Sequence, residues 1–156
     1  MKVAFATTWL IMILGPLGTV NGQDLDRALS RVQSAFGPEY RFKVDREDRL
    51  VIDLLKQGRP VRQDVVYIEF LDSTAVRWSE QERAVEMACA EAHGQCIDKE
   101  IFHLGTVRHT GRSTLPLPEG RPTDEAVVAM RGLIVAGQAR VAGKGLETHR
   151  RPDRRK

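Results

Sequence analysis

Between residues 40 and 110 the apolar side chains of this chain recur at every second position, in short runs cut by glycine, proline or clustered charge. That period restricts the chain to a fold built on short antiparallel strands. Tyr40, Phe42 and Val44 alternate with Arg41 and Lys43, and an apolar run at 50–55 follows the charged turn 45–48, which together predict a hairpin. Gln57, Gly58 and Pro60 break the chain before a strand at 65–70, with Val66, Ile68 and Phe70 on one face. A turn at 71–73 leads to Thr74, Val76 and Trp78, where the tryptophan reads as a core residue. Further strands are expected at 96–104 and 106–110.

The segment 79–95 admits two readings. Ser79 with Glu82 resembles a capping box, and the alanine- and glutamate-rich stretch up to Gly94 has helical composition. Val85, Met87 and Cys89, however, alternate with Glu86 and Ala88 and continue the run of short strands. We read a strand here. A strict hairpin pairing Cys89 with Cys96 would set Met87 opposite Asp98, so that pairing requires a bulge or a longer loop.

Helical periodicity flanks the strands. Asp24 can cap a short helix with Leu25, Ala28, Leu29, Val32 and Phe36 on one side, and Gly37 with Pro38 ends it. After an extended connection marked by Pro116, Pro118 and Pro122, Thr123 caps a second helix. Asp124 and Glu125 suit the positive end of its dipole, and its buried stripe is Ala126, Val127, Met130, Leu133 and Ile134. Gly137 is the expected stop. The fold class is therefore α+β and mainly antiparallel: a small bent sheet or barrel closed by a C-terminal helix, with a short N-terminal helix. The alternative is an α+β fold with a helix at 80–93.

Residues 1–22 have the layout of a secretory signal: Lys2, an apolar run over 3–17, then Thr19, Val20, Asn21 and Gly22. Cleavage is expected near Gly22, which exports the protein to the periplasm or the exterior. The alternative is an uncleaved membrane anchor, although Gly15, Pro16 and Gly18 interrupt the run. The domain plan is signal 1–22, one globular domain 23–137 and a basic disordered tail 138–156. In that tail Arg150, Arg151, Arg154, Arg155 and Lys156 are candidates for contact with an anionic surface.

In element order, six or seven short antiparallel strands closed by one amphipathic helix, the chain resembles a pleckstrin-homology-like domain. The resemblance covers most of the mature chain and includes no diagnostic motif. It implies a module that binds peptides, proteins or phosphorylated lipid head groups, with no binding residue to carry over.

Side-chain chemistry adds little. Cys89 and Cys96 are the only cysteines, and an even count in an exported chain reads as a disulfide. The competing reading, a metal held by Cys89, His93 and Cys96 with His103 or His109, fits no standard zinc spacing. His103, Arg108 and His109 form the one cluster usable for proton transfer beside an anion, but strand alternation separates the two histidines unless Gly105 breaks the register. Ser113 lacks the surroundings of an activated nucleophile. The stretch 137–145 fails as a phosphate loop, because Gly145 replaces the hydroxyl residue and a helix precedes it, so no nucleotide is expected. The basic tail has no interleaved aromatics, which argues against nucleic acid. The expected function is an exported binding or interaction module without a cofactor, its partner a protein or another envelope component. The alternatives are a small hydrolase using His103, His109 and Arg108, or a carrier of a small apolar ligand.

Overall fold

The computed structural model describes residues 21–150, with side chains described from 22 to 145. Residues 1–20 of the expected signal and residues 151–156 of the tail lie outside the described residues, while Asn21 and Gly22, at the expected cleavage point, fall in the first turn of α1. The fold is α+β with antiparallel sheets and a helix at each end of the described chain. Helix α1 (Asn21–Phe36) begins three residues ahead of the expected Asp24 cap. Strands β1 (Tyr40–Val44), β2 (Arg49–Lys56), β3 (Arg59–Tyr67), β4 (Arg77–Ser79), β5 (Ala84–Ala88), β6 (Ile97–Ile101), β7 (Thr106–Thr110) and β8 (Arg112–Pro116) follow, and α2 (Thr123–Arg150) closes the chain.

The strands form two open sheets, ordered β1-β2-β3-β6-β7 and β4-β5-β8, so the sheet does not close into a barrel. Alternation sets which residues face inward. Phe42, Ile52, Asp64, Lys99 and Arg108 are register partners in one row across the five-stranded sheet, while Lys43, Val51, Val65, Asp98 and His109 form the adjacent row on its other face. The core joins the inward residues of both sheets to Leu25, Val32 and Phe36 of α1 and Ala126, Met130, Leu133 and Ile134 of α2. Gln33 ties α1 to β1: its amide donates to the carbonyls of Gly37 and Tyr40, and its oxygen accepts from the Phe42 amide. Phe36, Tyr40 and Phe42 pack ring against ring beside it.

Several expected boundaries move. β3 starts at Arg59 and runs through Pro60, because the β2–β3 reversal is made by Gln57 and Gly58, both with positive φ. It ends at Tyr67, and residues 68–70 wind into a 3-10 turn. Residues 73–75 form another such turn, which shortens the expected strand there to β4, with Trp78 half-buried against the core. The 79–95 segment holds strand β5, not a helix at 80–93. The Ser79 and Glu82 contact forms all the same, with the Glu82 amide donating to Ser79 Oγ, but inside a hairpin loop that Arg83 closes at φ 48°. β8 occupies what was expected to be an extended connection.

The largest revision concerns α2, which does not stop at Gly137 but continues to Arg150. Gly137 is buried against Ile68, where a larger residue would collide with that side chain, so this glycine permits a close helix approach. Beyond it Gln138 donates to the carbonyls of Ile68 and Leu71, and Arg140 and Lys144 both reach Asp48 in the β1–β2 turn. Burial alone would raise the Asp48 pKa, but Lys144 and Arg140 hold it below its usual value. These bonds carry the helix through residues 138–144, which had been expected to begin the disordered tail.

Candidate functional site

Helix α2 is apolar on two sides. Over Thr123–Gly145 it is long and apolar enough to cross a membrane, yet one side is already used by the core contacts of Ala126, Met130, Leu133 and Ile134. The other side faces solvent. Val128 is 66% exposed and Val135 is 51% exposed, and Gly132, Ala139 and Ala142 are exposed with them. These five positions step by four and three residues alternately, which aligns them in one stripe along the helix.

The stripe borders a groove of about 570 Å³ between α1 and α2. Arg121, just ahead of α2, donates to the Ser34 carbonyl near the end of α1, so the two helices run back along each other. Ala28 of α1 and Ala129, Gly132 and Ala136 of α2 line the groove, which puts small side chains where another helix backbone could approach closely. Charged residues of both signs, Arg27, Arg31, Asp24 and Glu125, complete its lining. Water contact with aligned apolar residues has a cost that burial against a partner removes.

A second constellation lies between the sheets. Asp64 on β3 and Ser113 on β8 are both buried and hydrogen-bonded, with Ser113 Oγ donating to Asp64 Oδ2. Arg62 Nη2 donates to the same Oδ2 at 3.0 Å and to the Thr114 carbonyl at 2.8 Å. Asp64 Oδ1 is buried without a hydrogen-bond partner among the described residues. Lys99 is the register partner of Asp64, and burial pushes its pKa down even though Asp64 pulls it upward. Tyr40 donates to the Pro116 carbonyl at 2.7 Å, and burial raises its pKa well above the usual tyrosine value, so the hydroxyl stays a donor. With its carboxylate and hydroxyl closed off from solvent, this cluster ties one sheet to the other.

A third feature is the disulfide corner. Cys89 and Cys96 are bonded, with Cα atoms 5.9 Å apart. They do not pair across a hairpin as expected: Cys89 follows β5 in the smaller sheet and Cys96 precedes β6 in the larger one, so no bulge is needed. The bond therefore staples the two sheets. His93, between the cysteines, stacks on Phe70 with ring centroids 4.1 Å apart, and Tyr67 lies 5.3 Å from Phe70. These rings line a cleft of about 430 Å³.

The residues expected for proton transfer do not converge. His109 lies on the outer face with its Nδ1 2.6 Å from Asp98 Oδ1, and Arg108 projects from the opposite face of the same strand. His103 sits on the 3-10 turn 102–104, and Gly105 adopts a left-handed conformation after it. Among the described residues no hydrogen bond or ion pair joins any two of His103, Arg108 and His109. Of the candidate tail contacts, Arg150 is the last residue of α2, and Arg151, Arg154, Arg155 and Lys156 lie outside the described residues.

Sequence reasoning missed the outer stripe of α2: Val128, Gly132 and Val135 lay within the expected helix beside its buried stripe, and Ala139 and Ala142 lay beyond the expected stop at Gly137. The signal was present as Val128, Gly132, Val135, Ala139 and Ala142. It also missed Asp64, although Arg62, Asp64 and Val66 share a strand face and Val66 belongs to the core. No family model, curated protein or solved structure matches this chain.

Proposed function

We propose that this chain is a non-catalytic interaction module that works outside the cytosol and holds a protein partner on the face formed by α1 and α2. The observation that carries this reading is the solvated stripe of α2, with Val128 and Val135 more than half exposed along one line of the helix. An apolar line of that length, beside a groove lined by small residues, suits the helix-in-groove mode of recognition. The location outside the cytosol rests on the leader pattern at 1–22 and agrees with the sheet-joining disulfide.

The test is a Val128→Asp, Val135→Asp double variant. Both side chains are solvated, so the folded chain should keep its stability to within about 0.5 kcal/mol per site. Native electrophoresis of the protein extracted from its own cells should show the wild-type chain in a larger species that the variant lacks. Identical migration of a folded variant and the wild type would contradict the proposal.

A further inference from the structure

We infer that β7 takes up an extended segment of a partner protein as an added strand, with an acidic residue of that segment opposite Arg108. The site lies on the larger sheet and stands independently of the α2 stripe. A sheet edge exposes amides and carbonyls at a spacing that an extended chain matches, and folds usually cover or block it. The other edges here are closed by side chains. Gln33 takes the Tyr40 carbonyl and the Phe42 amide of β1. Along β8, Thr110 Oγ1 bonds the amide and carbonyl of Arg112, Arg62 donates to the Thr114 carbonyl and Tyr40 to the Pro116 carbonyl. Arg131 holds the Ser73 and Val76 carbonyls at the entry to β4.

β7 lacks such closure. Phe42 directs its amide away from β2, so the alternation of antiparallel ladders carries through Ile52, Asp64 and Lys99 to turn the backbone groups of Arg108 toward β6. Those of Val107 and His109 then point outward, and they have no hydrogen-bond partner among the described residues. Thr106, Val107, Arg108 and His109 are all exposed. Phe102 and Leu104, exposed in the preceding turn, join Val107 as apolar surface at one end of this edge.

Charge names the occupant. Arg108 projects from the inner face beside its register partner Lys99, and neither has a hydrogen bond or ion pair among the described residues. The nearby carboxylates are already taken: Asp64 accepts from Arg62, and Glu82 and Glu86 accept from Arg112. Two cations are therefore left over on this face, beside a row of outward backbone groups. A second copy of β7, paired over its full length, would set Arg108 against itself. The chain's own ends fit no better, since residues 1–20 contain no acidic residue and residues 150–156 carry five basic residues against one acidic. An acidic extended segment of another protein matches both the spacing and the charge.

The probe is an end-capped pentapeptide, threonine-valine-glutamate-valine-threonine, which sets its carboxylate opposite Arg108 and its valines on the side of Val107 and His109. Titrated to about 5 mM into the isotope-labelled protein, a range suited to one short added strand, it should shift the amide resonances of residues 104–110. Exchange of the Val107 and His109 amides should slow several-fold as they gain acceptors. A peptide with lysine at its centre should bind several-fold more weakly, and Arg108→Glu should invert that preference. Val107→Pro removes an outward donor without touching the ladder to β6, so this variant should keep its unfolding midpoint and lose the peptide. No shift at the highest concentration, equal binding of the two peptides, or shifts confined to the α1–α2 groove would each overturn the inference. Shifts along β7 that follow protein concentration without peptide would overturn it too, because a second copy would then occupy the edge.

Discussion

Arg62→Ala should destabilise the fold by about 3–5 kcal/mol, the range typical of removing one partner from a buried ion pair. Asp64 is fully buried, and its Oδ2 accepts from both Arg62 and Ser113 while Oδ1 has no partner among the described residues. Without the guanidinium, only one hydroxyl would support that carboxylate, and the Thr114 carbonyl would lose its donor from β3. The two sheets would then separate at the point where they are polar. Denaturant unfolding should show a lower midpoint with an unchanged slope, as for a pure loss of stability. An Arg62→Met, Asp64→Leu, Ser113→Ala variant should recover part of the loss, because apolar replacement removes the desolvation cost together with the attraction, although the Thr114 carbonyl still lacks its donor. A loss below about 1 kcal/mol in Arg62→Ala would place the pair among weak surface bridges and contradict its role in joining the sheets.

Removing the disulfide should cost about 2.5 kcal/mol in the chain-entropy treatment, given the short loop between Cys89 and Cys96. The expected consequence is local as well as global. Because the bond connects the end of β5 to the start of β6, its loss frees the 91–93 turn and the stacking of His93 on Phe70 before it frees either sheet. Cys89→Ser, Cys96→Ser should therefore unfold at lower denaturant and show faster amide exchange over 89–96 than elsewhere. Equal stability of the reduced and oxidised chains would show that the two sheets do not depend on this staple.

How far the sequence reached depended on whether a residue's neighbours in the chain were also its partners in space. The β1–β2 hairpin, β7 and the start of α2 were legible because alternation, turn residues and caps all act within a few residues. Strand β5 was legible against its own composition: Val85 and Met87 needed one buried face, and the Ser79 and Glu82 contact proved compatible with a hairpin loop. β8 was not legible, since it offers Leu115 as its only fully inward apolar residue and fills the other inward position with Ser113, whose partner Asp64 is 49 residues away. Gly137 misled because glycine ends many helices. Its reason for being there is Ile68, a contact that no local pattern reports. Once the helix is seen to continue, the outer stripe and the ties of Arg140 and Lys144 to Asp48 follow together.

A photo-crosslinking scan along α2 in the protein's own cells tests the use of that face most directly. Probes placed singly at Val128, Gly132, Val135, Ala139 and Ala142 should give protein adducts, with Val135 among the strongest. Probes at exposed Arg41 and Lys43 of the larger sheet should give few. Adduct yield that rises and falls with the four-three spacing of the stripe is the expected result. Yields that ignore that spacing, or adducts that favour the sheet positions, would contradict a docking role for α2.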